Sequence, residues 1–323
     1  MKRIGVMTSG GDAPGMNACI RAVVRSAAFH NVEVVGIRRG YQGMIENEMS
    51  LLNVNEVGNI IQYGGTILKS ARSKEFMTPE GRKKAYDNLV SNGVEGIVCI
   101  GGNGTYTGAG VFYNEYKIPS VGAPGTIDND LYGTDFTIGY DTAVNTALDA
   151  IDRIRDTADS HNRIFFIEVM GRDSGFIALN SGLAGGAEAI LLPEIMNDYD
   201  DLIASFEDES KRKKAFSIIV VAEGETNGHA FEIAEKFKSR FSQFDIRVSV
   251  LGHIQRGGKP SANDRILAST LGNAAVEQLL AGNTNVCVGV VNQEVKITSY
   301  ADAISNRKSI NPVLWNLSKI LSY

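Results

Sequence analysis

Short runs of β-branched and other apolar residues recur along the chain, each closing on a glycine-rich or polar loop that opens a helical pattern. The runs are 3–7, 32–37, 96–100, 120–122, 164–169, 216–222, 247–251 and 285–291. Nearly continuous apolar strands of this kind are buried on both faces, so parallel sheets covered by helices, an α/β fold, are expected. Helices are expected from Asp141-Thr142 onward, where Val144, Ala147, Leu148, Ile151 and Ile154 share one face, and over 83–92 and 265–280. At 323 residues the chain is long for one core, and two lobes are expected. No Pro-rich or low-complexity linker marks their boundary.

The chain holds 35 glycines, well above the usual ~7%. Their clustering locates the chemistry. Ligands of open parallel sheets bind beyond the carboxyl ends of the strands, which draws together the loops after Met7, Ile100, Gly122, Val169, Ala222 and Leu251. In 8–17, TSGGDAPGMN, a strand runs into paired glycines and then a helix near Pro14, exposing free amides and a positive dipole end. It is a phosphate cradle without the Gly-Lys-Ser/Thr of a Walker loop; the plainer alternative is a tight turn that merely needs glycine. The loop GGNGTYTG over 101–108 repeats the arrangement. Its glycines imitate a dinucleotide fingerprint, but no acidic residue ends a second strand about 20 residues on, which argues against a nicotinamide dehydrogenase.

In PGTIDND, 124–130, Asp128 and Asp130 stand at i and i+2, and in extended backbone they would point the same way. One carboxylate can accept a proton from an attacking hydroxyl while the other organises a hydrated cation. An Asx-rich turn is the bland reading. Met170-Gly171-Arg172 and His253-Ile254-Gln255-Arg256-Gly257-Gly258 each follow a strand, and Arg163 and Arg247 stand where those strands begin. Arginine grips phosphate bidentately and never loses its charge. Singly such arginines are usually solvated, as Arg72 in Ser70-Ala71-Arg72 could be.

Other features bound the function. With 32 Lys+Arg against 37 Asp+Glu the net charge is −5, a poor match to nucleic acid. Cys19, Cys99 and Cys287 have neither metal spacing nor a disulfide pattern and read as buried thiols of a reducing compartment. No run approaches the ~18 apolar residues of a membrane span, and the N-terminus enters a strand at once. A soluble, cytoplasmic protein with no membrane partner is expected.

The motifs TSGGDAPGMN, GGNGTYTGA, PGTIDND, MGR and GHIQRGG, in this order and spacing, closely resemble those of bacterial ATP-dependent 6-phosphofructokinases from residue 1 to about 300. The resemblance implies two Rossmann-like, three-layer α/β/α lobes with mostly parallel sheets. The ATP-binding lobe would take 1–138 plus 251–301, and the fructose 6-phosphate lobe 139–250 plus the C-terminal 302–323. It implies transfer of the ATP γ-phosphoryl to the C1 hydroxyl of fructose 6-phosphate, with Mg2+, by a homotetramer acting in glycolysis. Gly11, Arg72, Ser73, Gly102, Asn103, Gly104 and Thr105 would line the ATP site. Asp128 would be the general base. Thr126, Asp128, Met170, Gly171, Arg172, Glu223, His253 and Arg256 would hold the sugar phosphate, with Arg163 and Arg247 arriving from a neighbouring subunit. Arg72 and Arg172, with Thr126, would serve the transferring phosphoryl. Gly104 and Gly125 match ATP-using members; pyrophosphate-using relatives resemble the pattern with Asp and Lys there, which would fill the space of the α-phosphate.

The chain departs from the family pattern at three places. The second loop usually carries Asp where Asn103 stands, which weakens the expected magnesium site of Asn103 and Asp130 by one charge. A weakly active or non-catalytic sensor of nucleotide and sugar phosphate is the alternative this raises, although Asp128 would be idle in it. Arg21, Arg25, Arg155, Gly186, Glu188, Arg212 and Lys214 match an effector site for ADP or phosphoenolpyruvate. Val54 and Gly58 depart from it, where Arg and Ser are common, and an altered or weak effector response is expected.

Overall fold

The computed structural model describes residues 1–158, 163–196, 198–209 and 217–321. The chain begins with strand β1 (Arg3–Thr8), helix α1 (Met16–Phe29), β2 (Glu33–Ile37), α2 (Gly40–Ile45) and β3 (Met49–Leu51). It continues through α3 (Pro79–Ser91), β4 (Ile97–Gly101), α4 (Asn103–Tyr116), β5 (Ser120–Pro124) and α5 (Tyr140–Ala158). Next come β6 (Arg163–Val169), α6 (Phe176–Ala184), β7 (Ala189–Leu191), α7 (Asp198–Glu209), β8 (Ser217–Ala222), α8 (Ala230–Arg240) and β9 (Asp245–Val250). The last elements are α9 (Ala262–Leu280), β10 (Val286–Val291), β11 (Glu294–Ser299), α10 (Tyr300–Ser305) and α11 (Pro312–Leu321).

The chain divides into two compact units. The first comprises 1–127, 131–142 and 256–308; the second comprises 128–130, 143–255 and 309–323. The first is built on a seven-stranded sheet in the order β11-β10-β5-β4-β1-β2-β3, and the second on a four-stranded sheet in the order β7-β8-β6-β9. Every pairing is parallel except the antiparallel edge strands β3 and β11.

Strand periodicity explains the layers of the first unit. Ile97 and Cys99 of β4 join Met7, Val35, Ile37 and Cys287 in a core closed by Tyr41, Met44, Leu89, Tyr106, Phe112 and Tyr300. Those partners come from α2, α3, α4 and α10. The alternate residues Val98 and Ile100 are equally buried on the opposite face. There α1 and α9 lie so close that a Cβ on Gly272 would come within 2.7 Å of the Cys19 carbonyl oxygen. In the second unit Ile164, Phe166, Ile219 and Val221 pack beneath α7 and α8, with Phe206 edge-on to Phe237 at 4.9 Å between centroids.

The expected strands are all present with small shifts: 216–222 is β8, beginning at Ser217, residue 216 lying outside the described residues. Pattern reading passed over β3, β7 and β11. The first two have three residues each, too short to alternate. The third does alternate, with Val295 and Ile297 between Glu294, Lys296 and Thr298, but it is an edge strand exposed over Glu294–Ile297.

The three cysteines are buried and free, and burial raises their thiols, Cys99 and Cys287 to about 12. No described helix is long and apolar enough to cross a membrane.

Candidate active site

In the first unit the chain order reverses at β1, which lies between β2 and β4. Open parallel sheets part their loops at such a point. Both glycine-rich loops leave from there. Ser9 N donates to the Ile100 carbonyl at 3.0 Å, and the Thr105 hydroxyl reaches the Ser9 carbonyl at 3.2 Å. Gly125 N donates to the Gly101 carbonyl at 3.0 Å, which adds the end of β5. These loops surround the N-terminus of α4, whose first residues are Asn103, Gly104 and Thr105 behind Gly102 as cap. No side chain caps it; Thr105 N turns back to the Gly102 carbonyl at 2.9 Å, and the positive dipole end is the feature that suits an anion.

Gly11 lies under Arg256: a Cβ there would come within 2.6 Å of Nη1, and the same nitrogen donates to the Asp12 carbonyl at 3.3 Å. Arg256 is therefore placed on the first glycine loop. Thr126 is buried, and its carbonyl accepts from the Thr137 hydroxyl at 2.6 Å. Ser73 Oγ lies 2.6 Å from Gln42 Oε1, and Arg72 beside it is exposed. At Gly104 an added Cβ would meet nothing within 4 Å, whereas at Gly125 it would sit 3.1 Å from both Ile100 and Met16. Space for a side chain is therefore open at Gly104, whereas at Gly125 Ile100 and Met16 would have to give by a few tenths of an ångström.

The second unit gathers the carboxylates and arginines. Asp128 is 3% exposed, and its Oδ2 faces Arg172 Nε at 3.6 Å. Its carbonyl oxygen lies 2.9 Å from the Ser174 hydroxyl, which also lies 2.8 Å from the Gly171 carbonyl. The Arg172 amide donates to Glu223 Oε2 at 3.2 Å, and Glu223 N donates to the Val169 carbonyl at 2.9 Å. Three neighbouring strand ends are thus stitched together, for the buried Gln255 accepts from Met170 N at 3.3 Å and Leu251 N reaches the Glu168 carbonyl at 3.0 Å. His253, in the same connection, is exposed.

The backbone corrects one sequence expectation. Asn129 has φ +53°, so the run from Asp128 to Asp130 is not extended, and the parallel-carboxylate argument from i, i+2 spacing does not hold. Asx residues tolerate this left-handed conformation.

Arg163 and Arg247 meet on one carboxylate. Arg163 Nε lies 2.9 Å and Arg247 Nη2 3.1 Å from Asp245 Oδ2. Of the expected effector residues, Arg21 and Arg25 lie one turn apart on α1 in the first unit. In the second, Arg155 donates to the carbonyls of Gly185 and Gly186, and Glu188 Oε2 accepts from Ile218 N at 2.7 Å. Arg212 and Lys214 lie outside the described residues. Val54 lines a cavity of about 220 Å³ with Val24, Ala28, Val34 and Leu52.

Sequence reading missed Ser174, Asp245 and Asp264. Asp264 is 1% exposed, and it accepts from Gly139 N and Thr142 N at 2.8 Å each and from the Thr142 hydroxyl at 2.5 Å. It caps the start of α5. A carboxylate three residues past Ser261 was the available signal, but it reads equally as an ordinary first-turn acid of α9.

Two α/β units, one with two glycine-rich loops at adjacent strand ends and one with a buried aspartate facing an exposed arginine, are the parts a phosphoryl-transfer enzyme of the α/β class needs. The phosphofructokinase family profile matches residues 3–279. Over 322 residues the chain is 60% identical to "ATP-dependent 6-phosphofructokinase 1" of Thermus thermophilus, covering all of both chains. It is 59% identical to the ATP-dependent 6-phosphofructokinase of Cytophaga hutchinsonii, covering 100% of this chain and 98% of that one. The fold matches phosphofructokinase from Saccharomyces cerevisiae with TM-score 0.90 at 33% identity, spanning all of this chain and 48% of the yeast one. A pyrophosphate-dependent phosphofructokinase from Marinobacter aquaeolei matches with TM-score 0.82 at 25% identity, over 96% of this chain and 86% of its own. The chain belongs to the phosphofructokinase family.

Proposed function

We propose that the chain is an ATP-dependent 6-phosphofructokinase of glycolysis, transferring the γ-phosphoryl of ATP to the C1 hydroxyl of fructose 6-phosphate. The observation that carries the chemistry is the buried Asp128 with Arg172 against one oxygen and Ser174 holding its backbone. The Asp128 carboxylate takes the hydroxyl proton as the C1 oxygen bonds to the γ-phosphorus, the β–γ bridge breaks and ADP leaves. Arg172 and Arg72 balance the charge on the moving phosphoryl, and Thr126 orients it.

ATP binds on the first unit through Gly11, Arg72, Ser73, Gly102, Asn103, Gly104 and Thr105. The amides at the start of α4 and the open space at Gly104 support that assignment. Thr126, Met170, Gly171, Glu223, His253 and Arg256 hold fructose 6-phosphate, with Arg163 and Arg247 serving a second copy in a homotetramer. Asn103 and Asp130 would hold Mg2+ together with the phosphates. Among the described residues no three or more His, Cys, Asp or Glu converge. An amide oxygen and a carboxylate suit magnesium, since it takes one or two protein oxygens and keeps water and phosphate as its other ligands. When bound it neutralises charge on the phosphates. ADP or phosphoenolpyruvate would act weakly at Arg21, Arg25, Arg155, Gly186, Glu188, Arg212 and Lys214, because Val54 brings no charge. The enzyme works in the cytoplasm.

A coupled assay with fructose 6-phosphate and magnesium tests this. Turnover with ATP, none with pyrophosphate, and a loss of about 10²–10⁴-fold in kcat for Asp128→Ser are expected. Binding of both substrates without turnover would overturn the reading in favour of a sensor.

A further inference from the structure

The edge strand β9 carries an acid, Asp245, that the proposed reaction leaves without a role. Asp245 and Arg247 are two residues apart on it, and both are exposed. Side chains two apart on a strand share a face. The register between β6 and β9 sets Arg163 directly beside Asp245. Three charges are thereby fixed on one patch by backbone pairing alone.

Their geometry is asymmetric in an informative way. Both arginines bond the same oxygen, Asp245 Oδ2, Arg163 through Nε at 2.9 Å and Arg247 through Nη2 at 3.1 Å. Each guanidinium has five N–H donors in a planar fork. One nitrogen of each bonds Asp245, so among the described residues the Nη pair of Arg163 presents an edge to another anion, while Nε and Nη1 of Arg247, which lie on different edges, offer single donors. Two long cationic side chains at this spacing repel each other and lose several rotatable bonds when they converge. A shared carboxylate offsets both costs before any ligand arrives. Arg163 and Arg247 in turn hold the Asp245 carboxyl below its ordinary value, the Arg163 hydrogen bond being the largest cause, so the linchpin stays charged at neutral pH.

We infer that Asp245 is a positioning residue that joins Arg163 and Arg247 into one preformed two-guanidinium clamp for the phosphate of the sugar substrate. This rests on the assignment of those two arginines to fructose 6-phosphate made above. Asp245 touches no substrate; it acts through the arginines, and its contribution belongs to affinity rather than to the chemical step.

The test compares Asp245→Ala, Asp245→Glu, Arg163→Ala with Arg247→Ala, and the triple variant, in steady-state assays of the full chain with fructose 6-phosphate varied. Asp245→Ala is expected to raise the half-saturation concentration about three- to tenfold, with kcat changed less than twofold, the size of effect that loss of an outer-shell orienting group produces. Asp245→Glu, which keeps the charge, should restore most of the affinity. The alanine effect should vanish in the background lacking both arginines, which a merely structural role would not produce. If the arginine variants bind fructose 6-phosphate as the parent does, the site assignment fails. If they weaken it while Asp245→Ala leaves affinity unchanged or improves it, the clamp inference alone fails, and Asp245 is a competitor for the phosphate.

Discussion

The two units meet phosphate with different materials. In the first, the proposed nucleotide site is mainly backbone: glycine loops held together through Ser9 and Thr105 and an α4 N-terminus that no side chain caps, with Arg256 the side chain set on the first loop. In the second the proposed site is made of side chains, with Arg172 on Asp128 and Arg163 and Arg247 on Asp245. A backbone cradle is fixed by the fold and recognises any phosphate of suitable spacing. A side-chain clamp must be held by further residues, and its donors can be matched to one substrate. Nucleotide phosphates suit the first device and a sugar phosphate suits the second.

The contrast is sharpest where charge moves. Arg172→Ala removes the cation beside Asp128 and is expected to lower kcat by about 10²–10³-fold, as loss of one preorganised donor to a transition state does. Rapid-quench single turnovers at saturating substrates would check this; a loss confined to substrate affinity would break the distinction between binding clamp and catalytic group.

On the backbone side, two glycines separate space kept for protein from space kept for ligand. Gly125→Ala presses a methyl to 3.1 Å from Ile100 and Met16, and destabilisation of about 1–3 kcal/mol is expected from overpacking. Gly104→Ala meets nothing within 4 Å and lies in the first turn of α4, so stability should hold or rise by a few tenths of a kcal/mol. Half-saturation by ATP should rise instead. Urea unfolding beside ATP titration checks both; equal stability losses would show that the space at Gly104 is not reserved for ligand.

What the sequence revealed follows the same line. The backbone devices were legible because glycine costs a strand or helix stability, so a cluster of it after an apolar strand marks where backbone must turn tightly or approach something closely. The side-chain devices were visible only in part: Arg172 stood out beside its glycine, but Asp245 is one surface acid among many until the β6–β9 register sets it between two arginines. Ser174 gives no local signal, since its partner Asp128 is distant in sequence. Asn129, with φ +53°, bends a loop that was expected to run extended from Asp128 to Asp130, because a single left-handed residue leaves no trace in apolar periodicity.

Asp264 extends the comparison from site to stability. Its carboxylate accepts three hydrogen bonds at the head of α5, and burial is the main reason its proton is held more tightly than usual. A folded value above the unfolded one means stability is fully present below the ordinary aspartate value and is lost as pH rises through the raised one. Asp264→Asn should cost about 1–3 kcal/mol, because an amide N–H then faces a donor. It should also remove this component of the pH dependence. Urea midpoints measured from pH 4 to pH 7 test the sign; an unchanged slope would mean the carboxyl does not titrate across that window.

The smallest expected effect lies at Asn103, where the two materials meet: a side chain on the first residue of a backbone cradle. Asn103→Asp adds a negative charge at the positive end of α4 and supplies the carboxylate that magnesium prefers. Both act in the same direction. Half-saturation by magnesium should fall about two- to fivefold, corresponding to roughly 0.4–1 kcal/mol. The opposing term is repulsion between the new carboxylate and the nucleotide phosphates, which only a bound cation relieves. ATP affinity measured without magnesium should therefore weaken in the variant while affinity with it improves. A variant that binds nucleotide equally well with and without the metal would place Asn103 outside the magnesium site and leave the phosphates and Asp130 as its ligands.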